Sequence, residues 1–117
     1  MSKRSRACEF SSTERIKIYE RQRGQCLFCL MNYEMEGAEP YELSLHEMMH
    51  IVPRSHGGLG IERNGVLGCI YHHRMMDNGS GGKRKEMLEI CREYLKRCYP
   101  GYDFSRVIYT KYPPCGT

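Results

Sequence analysis

Cys26-Leu27-Phe28-Cys29 sets two thiols two residues apart, and Cys69-Ile70-Tyr71-His72 repeats that spacing with a thiol and an imidazole. Thiolate sulfur and imidazole nitrogen are what a tetrahedral zinc ion takes, and a two-residue gap lets both members of a pair turn onto one ion. Either pair alone has other readings: two core cysteines in a tight turn, or a redox pair. A redox pair belongs in a βαβ pattern, which does not surround Cys26 and Cys29. Two half-sites together point to a closed three-cysteine, one-histidine structural zinc site. His73 follows His72 directly and competes for the fourth position; the shorter spacing favours His72 and leaves His73 for other work.

A chain of 117 residues fits one domain, in which apolar burial leaves little surplus over conformational entropy, so a structural ion would help it fold. Seven cysteines, an odd number, suit thiolate ligands and buried thiols in a reducing compartment better than a disulfide framework. No apolar run approaches membrane-spanning length, and no hydrophobic region follows Met1-Ser2-Lys3-Arg4-Ser5-Arg6 to make a secretory signal. The expected location is cytoplasmic, with no membrane partner. Lysine and arginine exceed aspartate and glutamate by 18 to 14, a mild excess compatible with a polyanionic partner. The excess is local: residues 1–25 carry seven basic and three acidic side chains, whereas residues 31–47 carry five glutamates and neither lysine nor arginine. A phosphate-binding face should avoid that acidic stretch.

The elements that must position these groups can be read in order. Ser11-Ser12-Thr13-Glu14 has capping-box spacing, Ile16 and Tyr19 follow at helical spacing, and Gly24 is a stop, which predicts a helix over 12–23. Residues 31–42 read as an exposed acidic loop. The best strand candidate is 43–52, ended by Pro53, with Ser44, His46, Met48 and His50 on one face and Leu43, Leu45, Glu47, Met49 and Ile51 on the other. A glycine-rich loop follows over 54–63, then a short strand at Val66-Leu67 and a helix from near His72 to Asn78-Gly79. Met87, Leu88, Cys91, Tyr94, Leu95 and Cys98 predict a longer helix over Lys83–Cys98, in which Cys91 and Cys98 are small core residues rather than ligands. Residues 106–109 suggest a last edge strand and 112–117 a frayed end. The expected organisation is one domain, 1–117: a basic segment and helix over 1–23, a zinc-clasped core over 24–79, and a C-terminal helix and tail over 80–117.

Across 24–77, about half of the chain, these residues resemble the HNH endonuclease family, and small phage-type members in particular. The family pattern of Cys-x-x-Cys, His-Ile-x-Pro-x-Ser-x-Gly-Gly, Asn and Cys-x-x-Cys-His is matched by Cys26 and Cys29, by His50-Ile51-Val52-Pro53-Arg54-Ser55-His56-Gly57-Gly58, by Asn64, and by Cys69-Ile70-Tyr71-His72-His73. The resemblance implies an α+β fold with a ββα-metal (His-Me finger) core, structural zinc and flanking N- and C-terminal helices. It implies hydrolysis of DNA phosphodiester bonds, by nicking or double-strand cleavage. In that scheme His50 is the general base, Asn64 holds the loop and orients His50, and His73 binds a catalytic divalent ion on the helix. The chemistry agrees: a histidine near neutrality can take a proton from water, and a divalent cation stabilises charge on the phosphate and the leaving oxygen. Magnesium or manganese suits that oxygen-rich transition state, and an imidazole ligand tilts the choice toward manganese, nickel or zinc.

One departure matters. The residue before the base is usually an aspartate, glutamate or histidine metal ligand in this family, and here it is Met49, whose thioether is a poor ligand for a hard cation. Asp77, four residues after His73, shares its helix face and is the first candidate to replace it, an offset at which some relatives, the nuclease colicins among them, place a second helix ligand. Glu47 ranks second, because a strand rise of roughly 6.6 Å separates it from the Met49 position. Arg54 and Arg74 flank the expected site and would clamp DNA phosphates. His46 and His56 read as ordinary exposed histidines, and the methionine pairs Met48-Met49 and Met75-Met76 as core filler. Two rival readings are a catalytically silent zinc module that only binds nucleic acid, and a zinc-stabilised component of a phage packaging complex with its acidic segment 34–47 as partner surface.

Overall fold

In the computed structural model, which describes residues 2–79 and 82–111, the chain is built around a two-stranded antiparallel ribbon of β1 (His46–His50) and β2 (Gly65–Cys69). The register sets His46 opposite Cys69 at one end and His50 opposite Gly65 at the other. Around it lie α1 (Lys3–Ala7), α2 (Ser12–Gln22), α3 (Leu27–Leu30), α4 (Pro40–Ser44), α5 (Ile70–Asn78) and α6 (Lys83–Cys98), with 3-10 turns at Arg54–His56, Glu62–Asn64 and Phe104–Val107. The architecture is α+β. Among the described residues no helix is long and apolar enough to cross a membrane.

Side-chain alternation gives the ribbon two apolar faces. Met49 and Val66 join Phe28, Met76, Met87, Cys91 and Leu95 in the larger core, beneath α3, α5 and α6. Leu67, with Met48 beside it, packs on Ile18 of α2 and on Phe10. Cys91 is fully buried in the larger core, as its place on the apolar stripe of α6 implies.

Local signals explain most boundaries. The Ser11 hydroxyl accepts from the Glu14 N–H and starts α2, and Gly24, at φ +68°, donates its N–H to Tyr19 after the helix ends. The expected strand over 43–52 is shorter, because Glu39 and Glu42 form a reciprocal capping box and Pro40 occupies the first turn. That chemistry makes a helical turn where a loop and the strand's first residues were expected, so Leu43 and Ser44 belong to α4. The helix expected near His72 starts at Ile70, with Cys69 as its N-cap. The edge strand expected over 106–109 is instead a 3-10 turn capped by Asp103, followed by a single bridge between Ile108 and Gly58. The tail expected to fray, 112–117, lies outside the described residues.

The N-terminal segment is the least foreseeable part. α1 buries none of its residues, yet Cys8 and Phe10 just after it are buried. The chain here crosses Gly60 so closely that an added Cβ would sit 2.3 Å from the Glu9 carbonyl carbon, and the Gly60 N–H donates to Ala7 O at 3.0 Å. Only a residue without a Cβ fits under this crossing.

Candidate metal centre and candidate active site

Cys26, Cys29, Cys69 and His72 bring their ligand atoms within 4.8 Å of one another. Three elements supply them: the α3 turn carries the first pair, the end of β2 the third sulfur and the first turn of α5 the imidazole. Cys29 Sγ lies 3.7 Å from Cys69 Sγ. His72 Nδ1 lies 3.7, 3.7 and 3.2 Å from the sulfurs of Cys26, Cys29 and Cys69. A tetrahedron with Zn–S of about 2.3 Å and Zn–N of about 2.0 Å has edges of about 3.8 Å between sulfurs and about 3.5 Å from nitrogen to sulfur. The four atoms therefore already stand near the corners that zinc requires, and the cysteines are free thiols.

The orientation of His72 is fixed from behind. Its Nε2 lies 2.6 Å from Tyr33 O, and a carbonyl can only accept, so Nε2 carries a proton and Nδ1 is the nitrogen that faces the sulfurs. Hydrogen bonding from Cys69 and His72 outweighs burial and holds the Cys26 thiol down at about 3. Burial and the charge of Cys26 push Cys29 up to about 11, and donation to Cys26 raises Cys69 as well. The pocket thus keeps negative charge on sulfur in a buried place, where a divalent cation is the natural counter-charge. Between the two histidines left open by spacing, His72 closes this cluster, and the ring of His73 lies elsewhere.

His73 sits between two carboxylates. Its Nδ1 is 2.9 Å from Glu47 Oε1 and its Nε2 is 3.4 Å from Asp77 Oδ2, with both carboxylates exposed. Asp77 shares the helix face with His73 as its spacing requires, and also faces Arg84 at 4.0 Å. Glu47, ranked second on strand rise, makes the shorter contact, because a glutamate side chain spans the offset that the backbone leaves. Met49 takes no part: it is fully buried, and its Sδ lies 2.6 Å from where a Cβ on Gly68 would stand. The methionine is core packing against a glycine.

His50 lies on the other face of β1, tilted against Phe10 with ring centroids 4.4 Å apart. Its Nε2 is 2.6 Å from Cys8 O. The carbonyl again fixes the tautomer: Nε2–H donates, and Nδ1 remains as the proton acceptor. Burial lowers the pKa of His50 below the ordinary 6.5, and the charges of Arg54 and Arg15 add to this against the Cys8 hydrogen bond. Among the described residues no polar partner is shared by His50 and His73.

Asn64 is fully buried and ties the chain just beyond His50 to the end of the glycine loop. Its Oδ1 accepts from Val52 N at 2.8 Å, and its Nδ2 donates to Val52 O at 3.1 Å and Leu59 O at 2.8 Å. Its contact with the expected base runs through the backbone of Ile51 and Val52 and not through the imidazole. Gly58 fits beneath this clasp because a Cβ there would fall 1.7 Å from Val52 O. Arg54 is held by Ser5 O at 3.3 Å, close enough to His50 for its charge to act on the ring. Arg74 pairs with Glu42 at 3.5 Å on an exposed face.

Residue types did not announce the parts played by Cys8 and Tyr33, because both act through backbone carbonyls that every residue carries. The one sequence mark of the N-terminal crossing is Gly60. No family model matches this chain, and neither a curated protein nor a solved structure matches it.

Proposed function

We propose that this chain is a metal-dependent endonuclease of the HNH type that hydrolyses phosphodiester bonds in DNA. The observation that carries the reading is the setting of His50: Nε2 stands 2.6 Å from the Cys8 carbonyl, which leaves Nδ1 to accept a proton, and burial keeps the pKa of the ring below its ordinary value. In this reading His50 Nδ1 takes a proton from a water as its oxygen attacks phosphorus, the bond from phosphorus to the leaving oxygen breaks, and that oxygen takes a proton from solvent. By the resemblance, the products carry a 5′-phosphate and a 3′-hydroxyl. Asn64 keeps the backbone after the base from shifting, and the strand, loop, strand and helix running from β1 through α5 follow the order of a ββα-metal core. The Cys26, Cys29, Cys69 and His72 cluster serves as structural zinc site, holding α3, β2 and α5 together.

An imidazole beside a carboxylate is a donor set that fits manganese, nickel or zinc better than magnesium, whose ligands are oxygens. His73 with Glu47 or with Asp77 would hold such an ion. When bound it supplies charge stabilisation to the phosphate and the leaving oxygen. A single ion takes one ring nitrogen, and Glu47 and Asp77 face different nitrogens of His73, so they form two alternative pairs. That divergence, with Met49 buried, favours a second reading: a zinc-stabilised module that binds nucleic acid without cutting it.

Nicking of supercoiled plasmid by the zinc-loaded protein, titrated with magnesium, manganese and nickel, separates the two. The endonuclease reading expects turnover that needs the added ion and falls by about 10²- to 10⁴-fold in His50→Ala, the usual contribution of a general base, with the fold retained. A folded protein that binds DNA and turns over with none of the three ions is the silent module.

A further inference from the structure

Beside His50 is a small notch of about 160 Å³ lined by Arg4, Ser5, Cys8, Arg54 and Ser55. Its two arginines come from opposite ends of the N-terminal crossing and clasp each other's backbone. Arg4 Nη2 donates to Arg54 O at 3.4 Å and to Ser55 O at 3.2 Å, while Arg54 Nη2 donates to Ser5 O at 3.3 Å. Each contact occupies one nitrogen of a guanidinium that has five N–H donors. No carboxylate lines the notch, and no salt bridge among the described residues includes Arg4 or Arg54. The Ser55 hydroxyl likewise makes no hydrogen bond among them.

Two like charges held together by neutral carbonyls repel each other, and one anion between them would turn that repulsion into attraction. A carbonyl clasp alone would not need the second cation. We infer that Arg4 and Arg54 form one phosphate-binding notch that receives a backbone phosphate of DNA next to the one at His50. The inference rests on the endonuclease reading for the identity of the anion and for the neighbouring phosphate at His50, and it makes the N-terminal segment part of the substrate surface.

The test is binding of a fluorescent 20-base-pair duplex to the zinc-loaded protein without added divalent ion, followed by anisotropy over a series of salt concentrations. Arg4→Gln, Arg54→Gln and the double variant are compared with Lys3→Gln, which removes the same charge from α1 outside the notch. α1 buries no residue, so Arg4→Gln leaves the core untouched, and a thermal melt of each variant checks this. The notch predicts that the double variant binds about tenfold more weakly at 0.1 M salt and loses about one from the slope of log K against log salt, the share of one phosphate. Each single variant gives most of that loss, and Lys3→Gln gives little. Equal effects of Lys3→Gln and Arg4→Gln, or unchanged binding in the double variant, would overturn the proposal. So would a wild type that ignores the duplex while inorganic phosphate raises its melting temperature and not that of the double variant; the notch would then be a free-phosphate site. Binding that follows the predicted slopes with no plasmid nicking leaves the notch standing and removes only the endonuclease reading.

Discussion

The two ends of the ribbon are held in opposite ways. At the His46–Cys69 end, side chains from 26, 29, 69 and 72 converge on one point, and their chemistry is written in residue type. At the His50–Gly65 end, side chains are positioned by backbone: Cys8 O behind the imidazole, Val52 and Leu59 around Asn64, and the Ala7 carbonyl on Gly60. The first end gathers mostly buried metal-ligand groups, and the second rests on a short N-terminal crossing. The lesson is a division of labour: ligand side chains collect where the ion would sit, and the group with a free nitrogen sits where the chain is held by ordinary hydrogen bonds.

Breaking the first end should cost the most. A structural zinc contributes an apparent 10–16 kcal/mol in small zinc domains, about the whole stability of a small fold. Cys29→Ala should therefore lose zinc and cooperative unfolding together, read by metal content and a circular-dichroism melt. A sharp melt at the wild-type temperature would show that the cluster does not hold the fold.

The second end should give less. Asn64→Ala leaves the Val52 N–H and the Val52 and Leu59 carbonyls without their partner, an expected loss of about 2–4 kcal/mol. That corresponds to a fall of about 10 °C in melting temperature, with zinc content unchanged. A loss of zinc in this variant would mean that the two ends are one cooperative unit and would erase the contrast.

The smallest effect is titration of His50. Its folded pKa lies below 6.5, so the unfolded chain binds the proton more readily. Its contribution is fully present above pH 6.5 and is lost as pH falls through the folded pKa. Melting temperatures from pH 8 to pH 5 should fall more steeply for wild type than for His50→Gln, which can still donate to Cys8 O. Zinc-ligand protonation is common to both proteins, so parallel curves would place His50 in a more solvated setting than described.

The same contrast explains what the sequence revealed. Cys26, Cys29, Cys69 and His72 were legible because spacing and ligand chemistry suffice, and α6 was found at Lys83–Cys98 because its apolar stripe is long. The α4 turn has its signal in Glu39, Pro40 and Glu42, but the apolar alternation beyond 43 competes with that capping box and reads as strand. The N-terminal crossing was missed for a different reason. Its partners are carbonyls, a non-local contact between 7–10 and 50–60 with no periodicity, and Gly60 alone marks it. Glu47 and Asp77 both reach His73, on different ring nitrogens, a closeness that strand rise alone does not reveal for Glu47.

The cluster has one more consequence, which concerns the connectivity of the chain. Cys29 and Cys69 are forty residues apart, and an ion held by both would close the intervening chain into a ring, at a loop-closure entropy on the order of 3 kcal/mol. β1, His50, the glycine loop and Asn64 all lie on that ring. The arm bearing Arg4 and Cys8 and the arm bearing α6 hang outside it. With its ends tied, the ring would keep its circumference whatever either arm does.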